Sequence, residues 1–348
     1  METGQSPAGR GKILNLQILR FIAALGVLLS HAADLTLSRT SLFWSFPWTV
    51  GVDVFFVISG VIMTILTDGR FGQRGAAKEF LTRRIIRIVP IYWLFTVLMI
   101  AAILLLPTHV RNSQADAPSI IGSLLFVPMA RGDGQIVPIL AQGWTLNYEA
   151  FFYATFAVAL IHRRGLILLV AGLTSLAMLH ALISPALVPA NFWSDPIIVE
   201  FIAGIGLAKL WLGGVRLRPA ATAALALTSL FLFAAAGSIG LGDYGRMVAR
   251  GISATLLCAA FLFAAEPAAP GPLRRALVAG GDASYALYLS HTFAINAALL
   301  AIGAALPGWA AMGSAIIIAV AVSLLVHCVV ERPILRTLHR RFAARASP

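Results

Sequence analysis

Charge is scarce in this sequence. Charged residues fill 11% of its 348 positions, against about 25% in an ordinary soluble domain. Cysteine is almost missing: Cys258 and Cys328 stand alone, each inside an apolar run. That count excludes a disulfide scaffold. No internal repeat and no low-complexity tract is visible, which argues against a solenoid or a disordered chain. Long polar stretches are also missing, so no large soluble domain fits. What is present is apolar: 59% hydrophobic residues and a mean hydropathy of +0.88. Such a composition belongs to a polytopic helical membrane protein.

Apolar runs separated by Pro, Gly or charge clusters predict ten spans. They lie at about 13–33, 47–66, 88–106, 144–161, 165–184, 195–212, 219–236, 248–265, 283–303 and 308–330. Each is close to the roughly 20 residues that a helix needs to cross hydrocarbon. The expected fold is therefore all-α: a bundle of about ten transmembrane helices with both termini cytoplasmic. Residues 1–12 read as an N-terminal tail, 13–335 as the transmembrane domain and 336–348 as a basic C-terminal tail. The longest connection, 108–142, is polar and rich in Pro and Gly, and reads as an ordered or semi-ordered surface loop. Ser30-His31-Ala32 gives the first span a small-x-small triplet like that of a signal peptide, but Arg20 interrupts its apolar run. It is read as a retained span.

The net charge of +12 would suggest nucleic acid in a soluble protein. In a membrane protein it reads as the positive-inside bias. Twenty basic residues fall on the side of the two termini. Five fall on the other: Arg39, Arg111, Arg131, Arg246 and Arg250. Arginine outnumbers lysine and alanine is abundant, as in a bacterial source of high GC content. The reading is a multi-pass protein of the bacterial inner membrane, with lipids as partners and no nucleic acid.

Ionisable groups inside spans cost about 2.5–3.5 kcal/mol each on insertion scales, so each marks a candidate site. Arg20 and His31 share the first span, eleven residues apart. Eleven steps of about 100° bring both to one face, about 16 Å apart along the axis. That shared face predicts a polar interior. Asp53 and Glu149 lie at outer span starts, at a depth that makes either a possible carboxylate partner for His31. Asp53 reads equally well as an acid at a helix N-terminus. Tyr288 and His291 are three apart on the ninth span, and either line a cavity or join helices. His327 lies deep in the tenth span with no polar companion on its face, and reads as structural. Glu200 is assigned no chemistry. The segment 70–87 gathers six basic residues, among them Arg83, Arg84 and Arg87. Guanidinium forks suit phosphates, and equally suit anionic lipid headgroups.

These residues resemble one known family, the acyltransferase-3 membrane family. Arg20 and His31, with ten residues between them, look like its first-helix motif. Gly51 through Gly60 (GVDVFFVISG) resembles its second-helix signature. Arg84-Ile85-Ile86-Arg87 with Pro90, Tyr92 and Trp93 resembles the start of its third helix. Trp144-Thr145-Leu146-Asn147-Tyr148-Glu149, Tyr285 through His291, and Glu331-Arg332-Pro333 match further motifs. The resemblance spans about residues 13–335.

The resemblance implies acyl transfer, often of acetyl, from cytoplasmic acyl-coenzyme A to an extracytoplasmic carbohydrate or other hydroxyl acceptor. It implies His31 as the catalytic histidine, with Glu149 and Asp53 as candidate helpers. Arg20, Arg83, Arg84, Arg87 and Glu331 would serve the donor. Trp144, Tyr288 and His291 are the candidates to meet the acceptor. The run Phe56 through Met63 is similar to exopolysaccharide acetyltransferases of the family, and the sequence departs from the family's fused members, with their C-terminal extracytoplasmic catalytic domain, so a stand-alone enzyme is expected. No metal is expected. Direct transfer and an acyl-histidine intermediate stay open. So do a transporter or flippase, and a polysaccharide-export partner without this chemistry.

Overall fold

Backbone N–H and C=O groups in lipid must be satisfied within the protein. Every regular element of the computed structural model is accordingly a helix among the described residues, which are 12–37, 48–106, 115–132, 134–183, 185–238, 243–267, 269–302 and 305–346. Residues 1–11 of the expected N-terminal tail, Arg39, Arg111 and the last two residues lie outside these, as do the side chains of Arg246 and Arg345.

Fourteen α-helices are described. They are α1 (Leu14–Thr36), α2 (Gly51–Leu66), α3 (Ala76–Leu105), α4 (Ala117–Leu125), α5 (Trp144–Leu160), α6 (Gly165–Ile183) and α7 (Val188–Ser194). There follow α8 (Ile198–Leu212), α9 (Pro219–Ser238), α10 (Asp243–Phe263), α11 (Pro272–Asp282), α12 (Ser284–Ile302), α13 (Gly308–Val326) and α14 (Arg332–Ala346). Each expected span falls on one of them. Among the described residues six helical stretches are long and apolar enough to cross a membrane: Leu14–Thr36, Trp48–Leu66, Ala76–Leu105, Gly165–Ile183, Ser284–Ile302 and Gly308–Phe342. The chain is a multi-pass helical membrane protein. Helices α5 and α8 have 17 and 15 residues. At 1.5 Å per residue they reach about 22–26 Å, short of a hydrocarbon core of about 30 Å.

Two elements differ from the expectation. Helix α3 starts at Ala76, ahead of the apolar span expected from 88, so Arg83, Arg84 and Arg87 ride on its N-terminal turns and share its face as their spacing predicts. Pro90 sits inside it, where it removes one backbone hydrogen bond. The connection 108–142 holds a helix, α4. The Asp116 carboxylate caps it by accepting from the Ser119 N–H at 2.8 Å, and Pro occupies its first turn. The Ser119 hydrogen bonds hold the Asp116 carboxyl below its ordinary value. Trp93 Nε1 donates to the Leu124 carbonyl at 3.0 Å, and the Ile139 N–H to Ser123 Oγ at 2.9 Å. The described part of this connection is thus folded onto α3.

The chain divides into two compact units. The first runs through residue 70 and adds 199–287 and 291–321. Here α1 packs on α2, α10 and α11, α2 packs on α10, and α9 packs on α10. Leu19, Val54, Val57, Phe233 and Cys258 belong to its core. Lipid offers no hydrophobic drive for helices to associate, so close approach of small residues matters. A Cβ on Gly60 would lie 2.2 Å from the Phe201 carbonyl oxygen, and one on Gly204 2.1 Å from that of Val57. Helices α2 and α8 therefore touch backbone to backbone. The second unit holds 71–198, 288–290 and the chain from 322 onward. In it α3 packs on α4, α5 and α14, α5 on α6, and α6 on α7.

Candidate active site

Helix α1 is unbroken from Arg20 to His31, so the eleven-residue spacing keeps both on one face. Arg20 Nη1 donates to Gln17 Oε1 at 3.1 Å. In the first unit the His31 ring meets the His291 ring, with centroids 5.1 Å apart and planes tilted by 36°. His291 is 1% exposed, and its Nδ1 lies 3.1 Å from the Leu287 carbonyl. A carbonyl only accepts, which assigns the proton to Nδ1 and leaves Nε2 as the basic nitrogen. Sequence spacing tied His291 to Tyr288. The fold ties it to His31. Two imidazoles in ring contact can take up a hydroxyl proton.

The expected carboxylates are distributed differently. Asp34, three residues beyond His31 on the same helix, acts on it electrostatically. The i+3 spacing of Asp34 from His31 is the sequence signal for this neighbour. Asp53 on α2 lies beside Glu200 on α8 and feels the charge of Arg250 on α10. Asp53 and Glu200 are both buried. A Cβ on Gly251 would lie 3.2 Å from Glu200 Oε1, so glycine there gives the acid room. Glu200, assigned no chemistry, and Arg250, counted as an outer anchor, thus join Asp53 in one ionic cluster.

The second unit holds the α3 arginines. Arg83 Nη2 is 2.8 Å from Glu79 Oε1, an i,i+4 pair near the surface. The Arg84 guanidinium lies over the Phe80 ring at 5.6 Å and the Tyr153 ring at 5.8 Å. Arg87 also acts on Tyr153. The Tyr153 hydroxyl donates to Glu149 Oε1. Glu149, expected as a partner of His31, is therefore linked through Tyr153 to Arg84 and Arg87. Tyr153 was missed, and its i,i+4 relation to Glu149 was the available signal.

At the start of α5 the Trp144 ring meets the Tyr148 ring edge-on at 6.0 Å. The Tyr288 hydroxyl donates to the Gln142 carbonyl and shares a hydrogen bond with Thr145 Oγ1, both at 2.9 Å. Gln142 Nε2 donates to the Leu289 carbonyl at 3.1 Å. Of the two readings left open for Tyr288, these bonds are those of a residue that joins helices. His180 Nδ1 donates to Ser194 Oγ at 2.8 Å, and Ser194 passes its own proton to the Asn191 carbonyl at 3.0 Å. That polarity ties α7 to α6 and leaves Ser194 no activated hydroxyl. His327 does have a polar companion: its Nδ1 is 2.7 Å from Glu331 Oε2. Ending the tenth span at residue 330 had hidden this partner. Among the described residues no group of three or more His, Cys, Asp or Glu could hold a metal.

Comparison with known proteins agrees with the motifs. An acyltransferase domain family matches residues 13–328. The chain is similar to the exopolysaccharide production protein ExoZ of Rhizobium meliloti (strain 1021), 37% identical over 320 residues, which are 89% of this chain and 95% of that protein. It is also similar to the peptidoglycan O-acetyltransferase OatA of Listeria monocytogenes serovar 1/2a. There the identity is 26% over 216 residues, 56% of this chain and 33% of the other. No solved structure matches. A family match over nearly the whole chain, with motif residues from six segments in order, makes this protein a member of the acyltransferase-3 family and a membrane-embedded acyltransferase.

Proposed function

We propose that the protein moves an acetyl group from cytoplasmic acetyl-coenzyme A to a hydroxyl of an extracytoplasmic carbohydrate. The observation that carries this reading is the His31–His291 imidazole pair on the Arg20 helix. His31 takes the proton of the acceptor hydroxyl as that oxygen attacks the thioester carbonyl. The C–S bond breaks, the new C–O ester forms, and the proton passes from the imidazolium to the departing thiolate, giving free coenzyme A. Arg20, Arg83, Arg84 and Arg87 hold the donor phosphates, since guanidinium forks match phosphate oxygens. Glu331 belongs to the same donor side. Trp144 and His291 face the acceptor. Asp53 and Glu149 support the site through the ionic cluster and through Tyr153.

The carbohydrate acceptor is supported by the two relatives, one an exopolysaccharide production protein and the other a peptidoglycan O-acetyltransferase. Ten spans with both termini cytoplasmic are supported by the coincidence of each apolar segment with a helix and by the 20-to-5 division of basic residues. The bacterial inner membrane is the location that this topology and a cytoplasmic donor require.

The test is release of free coenzyme A from acetyl-coenzyme A by the purified protein in lipid nanodiscs, with and without an acceptor polysaccharide. Acceptor-dependent release supports the reading. A transporter or export partner consumes no thioester.

A further inference from the structure

Helix α13 passes into α14 through one π-helical turn, His327–Glu331. The whole helical stretch, Gly308–Phe342, has 35 residues, about 52 Å at about 1.5 Å per residue. Hydrocarbon takes about 30 Å of that, so α14 stands beyond it. Helix α3, with 30 residues, is about 45 Å long and overshoots as well. Lipid rejects charge, so the arginine-bearing end of each helix is the end outside. The two pack on one another within the second unit.

Helix α14 is amphipathic and of one sign. Ile334, Leu335, Leu338 and Phe342 form its apolar stripe, and all four are half-buried. Arg332, Arg336 and Arg340 follow at four-residue steps on the other face and are exposed, as is Arg341. No acid occurs in α14. Arg163 and Arg164, exposed after α5, lie at the same end: the Gly72 N–H, just ahead of α3, donates to the Leu160 carbonyl at 2.9 Å. The acid in the first turn of α3, Glu79, is taken up by Arg83.

Headgroups add only about 5–8 Å on each side of the hydrocarbon. Arg340 lies about 12 Å beyond Arg332 along the helix axis, past that layer and in water. A lipid phosphate meets the first turn of α14, and the partner that fits its distal arginines is a soluble polyanion. Acyl-coenzyme A is one, with a diphosphate and a further phosphate on its ribose.

We propose that the basic face of α14, with Arg163 and Arg164, is an electrostatic capture surface for the polyphosphate end of the acyl donor. It acts on the donor before binding, by charge at a distance, and touches no reacting atom. The proposal rests on acyl-coenzyme A being the donor.

The experiment measures kcat and kcat/KM for acetyl-coenzyme A at saturating acceptor, using the full chain in neutral phosphatidylcholine nanodiscs. Salt is set at about 0.01 M and about 1 M, where the screening length is about 30 Å and about 3 Å. Steering by a charged surface raises association about 10-fold or more at low salt. The variant Arg336→Gln/Arg340→Gln/Arg341→Gln is therefore expected to lose about tenfold in kcat/KM at low salt, to match wild type at high salt, and to keep kcat within about twofold. The variant Arg336→Lys/Arg340→Lys/Arg341→Lys keeps the charge and is expected to behave as wild type. An unchanged kcat/KM in the glutamine variant at low salt, or a loss that persists at high salt, overturns the proposal alone. So does an equal loss in the lysine variant, which would mark a specific contact. The measurement is repeated in nanodiscs containing phosphatidylglycerol, and a loss that appears only there assigns the face to lipid and overturns capture of the donor. Absence of acetyl-coenzyme A turnover in the wild type overturns the donor assignment and this proposal with it.

Discussion

His31 and His291 lie 260 positions apart in the chain, yet their rings are in contact. A positioned base contributes about 10²–10⁴ in rate, so His31→Ala is expected to lose transfer by that factor while still inserting in the membrane. His291→Leu removes the ring neighbour but not the base. Aromatic pair contacts are worth about 0.5–1.5 kcal/mol, so its loss of turnover is expected to stay near tenfold. Equal losses in the two variants would make His291 a second essential base. Steady-state turnover of both proteins decides this. Tyr153→Phe deletes the donor to Glu149 and leaves a half-buried carboxylate short of one hydrogen bond. About 1–3 kcal/mol of stability is at stake there, readable as a lower unfolding temperature in detergent. Which of these pairings the sequence disclosed depended on distance along the chain. Pairs within one helix, such as Glu149 with Tyr153 and His327 with Glu331, obey i,i+4 spacing, a signal that the sequence carries although both pairs were missed. Pairs between helices, such as Asp53 with Glu200 and Arg250, carry no spacing signal at all.

Helices were legible wherever about twenty apolar residues ran together, because such a run admits no other structure in lipid. Short elements were not. Helices α4, α7 and α11 are polar or broken by Pro at the start, and look like loops in sequence. The apolar span of α3 starts at residue 88 because charge marks its edge, and the helix itself runs on through the arginines back to Ala76. The π-helical turn leaves no mark beyond Pro333 two residues later. Helix contact through glycine gives a sharper test. In Gly204→Val the added atoms collide with the Val57 carbonyl, 2.1 Å from the first of them. Backbone cannot yield as a side chain can, so the cost is expected at or above the roughly 1–3 kcal/mol of ordinary overpacking. Size-exclusion chromatography of a fluorescent fusion should show loss of the monodisperse peak. At α4 the cap depends on ionised Asp116. Its carboxyl is held below its ordinary value, so the cap is complete above the ordinary carboxylate range and is lost as pH falls through the lowered folded value. Faster hydrogen exchange at Ser119 under acid conditions is the expected sign.

For the molecule as a whole, composition and the basic-residue count predict membrane insertion with both ends on the inner side. A fluorescent protein fused after Pro348 should shine, since it matures in the cytoplasm, and alkaline phosphatase at the same place should stay inactive. The reverse pattern would remove one span from the count. The family was legible because its motifs are local strings, each held on one helix. The acceptor left no such string, and its proposed class rests on the two relatives.

In the proposed function this helical protein draws acetyl-coenzyme A from the cytoplasm and esterifies an extracytoplasmic sugar through His31. Free coenzyme A is to be followed over time with purified wild type and His31→Ala in nanodiscs supplied with acetyl-coenzyme A, with and without the polysaccharide. The account predicts polysaccharide-dependent release by wild type and about 10²–10⁴-fold slower release by His31→Ala. Equal release by both proteins, or none by wild type under any acceptor, would contradict it.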